Sequence, residues 1–307
     1  MSSGPSAPAA PWRAVIDIGT NSVLLLIARR GPSGRVDEIA LDKSTITRLG
    51  KGAGQSGVLA PEAIARTLAV LRQYRETAEA HGASLLAVTT EGVRMANNRD
   101  DFLGPAAEVL GAPVRLLGGD EEAELSFRSV AEENGSAAPL RVIDIGGGST
   151  EIAVGEGMKL LSSVSHPIGA VRLTERFVTS DPPSYASVLE IELAAREVFQ
   201  RAQPLEPYPI LHGVAGTVTT AAALLLELPA YDRERVDGSI FAAVQVRDLR
   251  DRLAFETSAE RCRRPALDPG RADVIVAGLS ILVAAMDHCG ATALAVRDRG
   301  LRYALVE

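Results

Sequence analysis

Two acidic turns in this sequence carry the residue types that phosphate chemistry requires. Val15-Ile16-Asp17-Ile18-Gly19 recurs 127 residues later as Val142-Ile143-Asp144-Ile145-Gly146. Each copy is an apolar run ending in Asp-Ile-Gly, then small residues, then a second apolar run. The small residues are Thr20-Asn21-Ser22 in the first copy and Gly147-Gly148-Ser149-Thr150 in the second. An aspartate closing an apolar strand is costly to bury unless a metal, water or hydrogen-bond donor meets it. Glycines let the backbone approach a phosphate closely, and Thr20, Asn21, Ser22, Ser149 and Thr150 supply hydroxyl and amide donors. Asp17 and Asp144, equivalently placed on two hairpins, therefore suggest two half-sites facing one cleft. Other phosphate loops fail on spacing. A P-loop needs Gly-Lys-Ser/Thr, which occurs nowhere in the chain. A dinucleotide fingerprint needs a sixth-position glycine and a following helix; here Glu151 stands there and a strand follows.

The elements that must position these turns follow from periodicity. Residues 13–19 and 23–30 read as strands joined across the first turn, with strand character continuing to Leu49 and a loop over 50–57. A helix follows with Pro61 in its first turn, Ile64, Leu68 and Leu71 on one face, and Gly82 beyond its end. Residues 84–90 form a buried strand, 91–111 are mostly helical, 112–117 are again extended, and Asp120 is the expected N-cap of the next helix. The second half begins over again: strand, turn and strand across 140–154, a strand at 159–166, then a helix over 184–203. A strand at 208–216, a helix from Thr217, one near 245–255, the apolar helix after Arg271 and a strand at 291–296 complete it. Mixed elements with a hairpin opening each half argue an α/β fold of two related domains, divided near residue 130.

Composition bounds the partners. The 307 residues are 46% apolar and 23% charged, as in a soluble globular protein long enough for two cores. The net charge is −7, with three lysines (Lys43, Lys51, Lys159) and no basic run, which argues against nucleic acid. A phosphate-handling protein of this balance needs backbone N–H groups, a few placed arginines and a metal ion. The nearly apolar stretch Val274–Met286 is too short to span a bilayer, so no membrane is expected. The Pro-rich, uncharged opening reads as a disordered tail over 1–12 and lacks the features of a signal peptide. Cys262 and Cys289 have no companion at metal-ligand spacing and suit free thiols in a reducing cytoplasm; the four histidines form no H-x-x-x-H pair.

With both hairpins, the chain resembles the Ppx/GppA phosphatase family: exopolyphosphatases and guanosine pentaphosphate phosphohydrolases of the actin/sugar-kinase/Hsp70 (ASKHA) superfamily. RLGKG, TTEGVRMANN, DEEAELSF, PIGAVRLTERF, GVAGTVTTAAA, GRADVIVAGLSIL and RDRGLR also fall where family segments fall. The resemblance covers residues 13–307; longer members carry a further C-terminal region. It implies two actin-like (ribonuclease H-like) α/β domains with an interdomain cleft. Residues 13–129 would form the first, completed by 298–307, and 130–297 the second.

Carried over position by position, Asp17, Gly19, Thr20, Asn21 and Ser22 would form one phosphate loop. Asp144, Gly146, Gly147, Gly148 and Ser149 would form the other. Glu122, immediately before the alanine of DEEAE, would be the catalytic carboxylate, kept anionic by the helix dipole. Asp144, Glu151 and Glu122 would hold Mg²⁺ or another divalent cation. Arg94 would clamp phosphate, Gly216 and Thr217 would begin the helix of the superfamily's nucleotide-side turn, and Arg271 would contact a guanosine ligand. The implied activity is cytoplasmic release of terminal orthophosphate from inorganic polyphosphate, or from pppGpp to give ppGpp in the stringent response; a homodimer also lies within the family's habits. Departures from the pattern are Glu124 for an arginine, Asp237 in Val236-Asp237-Gly238, and Tyr303-Ala304 at the end. They motivate an alternative, a non-catalytic ppGpp- or polyphosphate-binding sensor; an ATP-using kinase of the same superfamily is a third.

Overall fold

The apolar runs at Val15 and Val142 become the central strands of two sheets, each flanked on both sides by other strands. In the computed structural model, which describes residues 10–135, 137–202 and 206–306, the first sheet contains β1 (Arg13–Ile18), β2 (Ser22–Arg30), β3 (Val36–Ile46), β4 (Ser84–Thr89) and β5 (Val114–Leu116). Its order is β3-β2-β1-β4-β5. The second contains β6 (Pro139–Ile145), β7 (Thr150–Glu156), β8 (Lys159–His166), β9 (Ile210–Val214), β10 (Ile240–Ala242) and β11 (Ala293–Val296), in the order β10-β11-β9-β6-β7-β8. Read from β8 to β11, the second sheet repeats the order of the first, with β10 added at one edge. Short turns make β1–β2 and β6–β7 antiparallel, and helical crossovers make β1–β4 and β6–β9 parallel. The expected α/β architecture is the one observed, as two mixed sheets of matching strand order with helices packed against them. The first nine residues of the expected tail lie outside the described range.

Alternation along β1 sends neighbouring side chains to opposite faces. Ile16 and Ile18 join Leu25, Leu71, Tyr74 and Phe102 under the helices Pro61–Ala80 and Asp100–Leu110. Val15 faces the other way, clustering with Leu26, Val88 and Leu125 and with Leu301, Tyr303 and Val306 from the far end of the chain. The helix Leu301–Ala304 thus packs on the first sheet.

The helix Gly119–Asn134 serves both halves. Leu125 belongs to the first sheet's cluster, whereas Phe127, Val130 and Ala131 pack on Leu140, Val142 and Ala153 of the second. The boundary expected near 129/130 falls inside this helix, and the second sheet begins at Pro139. On the opposite face of that sheet the apolar helix Ile275–Cys289 is buried along nearly its whole length, beside Ile191 and Phe199 of the helix Tyr185–Gln200. Among the described residues no helix is long and apolar enough to cross a membrane.

Three local expectations change. The loop over 50–57 holds one helical turn, Ala53–Ser56. Asp120 does not cap its helix: the helix begins at Gly119 after an extended Gly118, with no side-chain cap. A β-carbon at Gly119 would lie 2.5 Å from Ser165 Cβ, so the glycine lets the helix start early and close against β8. Asp120 joins Glu121 and Glu122 in the first turn, where acids suit the helix dipole. The eight-residue helix Ala170–Phe177 has no counterpart in the sequence reading.

Candidate active site

The two acidic turns adopt the same conformation. The Gly19 N–H donates to the Ser22 carbonyl at 2.9 Å, and the Gly146 N–H to the Ser149 carbonyl at 3.0 Å. A β-carbon at either glycine would sit 3.2 Å from that carbonyl oxygen. Asp17 pairs with Leu24 across β1–β2, and Asp144 occupies the same register in β6–β7, where its partner is Glu151. Both loops open onto a single cleft of about 680 Å³ between the halves. Asp17, Gly19, Thr20, Asn21, Ser22, Asp144, Gly146, Gly147, Gly148 and Ser149 all line it. Glu122, Gly216, Thr217 and Arg271 line it too, so most of the residues singled out in the sequence meet in one place.

The glycines of the second loop have a further reason. A β-carbon at Gly147 would come within 2.9 Å of Thr20 Cβ, and one at Gly148 within 2.0 Å of Glu91 Oε2. The backbone approach they permit is therefore to the first half of the protein as well as to a ligand.

Acidic groups crowd the floor. Glu122, in the first turn of its helix, has its carboxyl pushed well above the ordinary range, first by burial, then by Glu151, Asp144 and Asp17, with Arg94 opposing. Burial raises Asp17 to about 7, Arg302 opposing and Asp144 reinforcing. Glu151 rises to about 8, by burial first and then the Asp144 charge. Asp144 is also raised by burial, against the Ser126 hydroxyl, which donates to its Oδ2 at 2.6 Å. Asp17 Oδ1, Glu91 Oε2, Glu122 Oε2 and Glu151 Oε2 are buried with no hydrogen-bond partner. Several buried like charges with unsatisfied oxygens are tolerated only if protons or a cation neutralise them.

Two residues singled out in the sequence stand behind the cleft wall. Glu151 is buried beside Asp144 and accepts a 2.7 Å bond from Ser165. Arg94, half-buried, donates to the Leu117 carbonyl at 2.5 Å and influences Glu122 through its charge. Arg271 lies directly over Gly216, where a β-carbon would be 1.3 Å from its Nη1, so that glycine makes room for a guanidinium.

Asp42, Arg233, Asp298 and Arg302 also line the cleft, with no role assigned to them from the sequence. Arg302, buried, pairs with Asp42 Oδ1 at 2.5 Å, and Tyr303 donates to Asp42 Oδ2 at 2.7 Å. Arg233 reaches Asp42 at 3.4 Å and Asp298 at 3.5 Å. These partners are far apart in sequence, and no local spacing could have revealed them. Glu91 lies within TTEGVRMANN, but a single acid in a helix start gives no signal until Gly148 is seen against it. Of the departures, Glu124 is exposed and off the cleft, and Asp237 accepts the Asp298 N–H at 2.9 Å.

Among the described residues, no group of three or more His, Cys, Asp or Glu side chains is arranged to hold a metal ion by itself. Mg²⁺ is commonly held by one or two carboxylates, with substrate phosphates and waters completing its shell. Asp144 and Glu122 on the cleft, with the unpartnered Oε2 of Glu122 and of Glu151 behind, fit that partial set of hard oxygen donors.

Comparison with known proteins gives consistent results. The Ppx/GppA phosphatase family profile matches residues 27–306. Exopolyphosphatase 2 of Mycobacterium tuberculosis is 41% identical over 282 residues, 88% of each chain. The Aquifex aeolicus Ppx/GppA family member superposes with a TM-score of 0.80 at 32% identity, covering 96% of both chains. An exopolyphosphatase from Cytophaga hutchinsonii superposes with a TM-score of 0.87 at 25% identity, over 95% of this chain and 96% of that one.

Proposed function

We propose, from the premise that this chain belongs to the Ppx/GppA phosphatase family, that it hydrolyses the terminal phosphoanhydride bond of inorganic polyphosphate, and of pppGpp to leave ppGpp. The observation that carries the reading is the convergence of two equivalent acidic loops and Glu122 on one cleft. The terminal phosphate would lie between the loops, taking hydrogen bonds from their N–H groups and from Thr20, Asn21, Ser22 and Ser149. Glu122 would orient a water and accept its proton as the water oxygen bonds to phosphorus, while the bridging P–O bond breaks and its oxygen leaves with the shortened chain. Burial favours this role by making the Glu122 carboxylate a stronger base than a solvated one. A divalent cation held by Asp144, Glu151 and Glu122 would supply charge neutralisation to the phosphates and carboxylates. Arg271 is the cleft cation suited to the rest of the substrate, whether chain or guanosine. The homodimer and the cytoplasmic location belong to this proposal as well.

The test is orthophosphate release with Mg²⁺ from polyphosphate of defined lengths and from pppGpp, side by side. Glu122→Ala should lower kcat by at least about 10²-fold, a typical contribution of a general base, with polyphosphate binding retained. Hydrolysis by the variant at the wild-type rate would remove Glu122 from the mechanism. Tight binding of ppGpp or polyphosphate by the wild-type protein without turnover would identify a sensor instead.

A further inference from the structure

The two phosphate loops belong to different halves of the molecule, so something must fix the distance between them. We propose that the Glu91–Arg172 ion pair is the strap that sets this spacing, which makes both positioning residues for the reaction proposed above, and the inference rests on that reading.

Glu91 opens the short turn after β4, the strand beside the Asp17 strand. That turn is joined to the first loop: Thr89 Oγ1 donates to the Ile18 carbonyl at 2.7 Å, and a β-carbon at Gly92 would be 2.6 Å from Thr20 Oγ1. Arg172 lies in the helix Ala170–Phe177, whose first N–H groups fasten the second loop. Ala170 donates to the Gly146 carbonyl at 3.0 Å; Val171 and Arg172 donate to the Gly147 carbonyl at 3.0 and 3.1 Å. The Arg172 side chain then crosses to the other half and donates to Glu91 Oε1 at 2.5 Å. The Glu91 side chain is 5% exposed, so the pair is shielded on the carboxylate side. Its other oxygen, without a partner, lies against Gly148 at the tip of the second loop.

Each loop is therefore tied through its own neighbour to one end of a single charge-assisted hydrogen bond, the shorter and stronger class of such bonds. Further bonds cross nearby: the Gly52 N–H donates to Glu175 Oε1 at 2.7 Å and Gln55 to the Glu175 carbonyl at 2.8 Å, while Arg48 donates to Asp273 at 2.8 Å and to the Gly270 carbonyl at 3.2 Å. The Glu175 contacts lie farther along the seam and touch neither phosphate loop, and Arg48 meets only the first, its backbone N–H donating to the Asn21 carbonyl at 2.8 Å. Glu91 and Arg172 alone among these pairs abut Gly147 and Gly148.

The experiment compares wild-type protein with Glu91→Gln, Arg172→Met, their double variant and Arg172→Lys, using polyphosphate and Mg²⁺. Each single charge removal should lower kcat by about tenfold or more, since small misplacements of reacting groups are costly. KM should stay within about twofold, because the loops that bind the phosphate are individually intact. The double variant should be no worse than the weaker single one, and Arg172→Lys should recover part of kcat. Losses that multiply in the double variant, or that fall on KM alone, overturn the strap. Hydrogen–deuterium exchange supplies a readout free of turnover: Arg172→Met should speed exchange across both Gly19–Ser22 and Gly146–Ser149. Unchanged exchange in either loop also overturns it. Absence of turnover by the wild-type protein would instead reject the proposed reaction, leaving the exchange measurement to judge the strap.

Discussion

Gly216, singled out for one reason, has a second in the folded protein. Its glycine character fits a turn near phosphate, yet in the folded protein the space a β-carbon would fill is taken by Arg271. Gly216→Ala is expected to displace that guanidinium and raise KM for polyphosphate about tenfold, the scale of one charge-assisted contact, with a smaller change in kcat. Arg271→Ala should give the same increase and the double variant no more; multiplying effects in steady-state kinetics would separate the two residues. The acidic turns themselves were legible because each lies within five consecutive residues and appears twice. Asp42, Arg233 and Arg302 were not, since their meeting joins β3, the segment after Leu228 and the last helix. A charge in an exposed-looking stretch carries no local mark of its distant partner.

Among the elements, the helix Gly119–Asn134 has the most demanding position. In the sequence it is marked only by its acidic start, with Asp120 as the expected N-cap. In the structure eight of its residues, including Glu122, Ser126 and Phe127, are buried, because one face meets each sheet. Double-sided burial could not be read from the sequence, since Leu125 apart, the residues buried beside Phe127, Val130 and Ala131 are small or polar. Phe127 fills the closest contact, where a β-carbon at Gly155 would be 2.3 Å from its Cζ. Phe127→Ala should cost about 3–5 kcal/mol in denaturant unfolding, the usual range for a buried aromatic. Because Glu122 lies five positions earlier on the same helix, kcat should fall even at temperatures where the variant is fully folded. Unfolding that stays at the wild-type midpoint would show the helix less tightly held than its burial indicates.

For the whole molecule, the acidic cluster sets how stability follows pH. Asp17 at about 7 and Glu151 at about 8 hold protons that the unfolded chain releases near the ordinary carboxyl range. Their stabilising contribution is complete below that range and is lost as pH rises through the folded values. Without divalent cation, Glu151→Gln should therefore gain melting temperature relative to wild type as pH goes from about 5 to about 8. Added Mg²⁺ should raise the wild-type melting temperature more at the higher pH than at the lower. A difference between the two proteins that stays flat over this interval would mean that Glu151 is already ionised in the fold at the lower pH, as it is in the unfolded chain. The matching strand order of the two sheets was legible from the repeated hairpin, whereas the packing of one helix, Gly119–Asn134, on both of them was not.

The return of Leu301, Tyr303 and Val306 to the face of β1 and β2 has a consequence for biosynthesis. The first sheet is translated early, but part of one side stays uncovered until residues 301–306 have left the ribosome. The nascent protein must carry that greasy surface through the making of its second half, a state prone to association with other chains. Chaperone dependence during expression, and sensitivity to substitutions at Leu301, Tyr303 and Val306, are the practical outcomes.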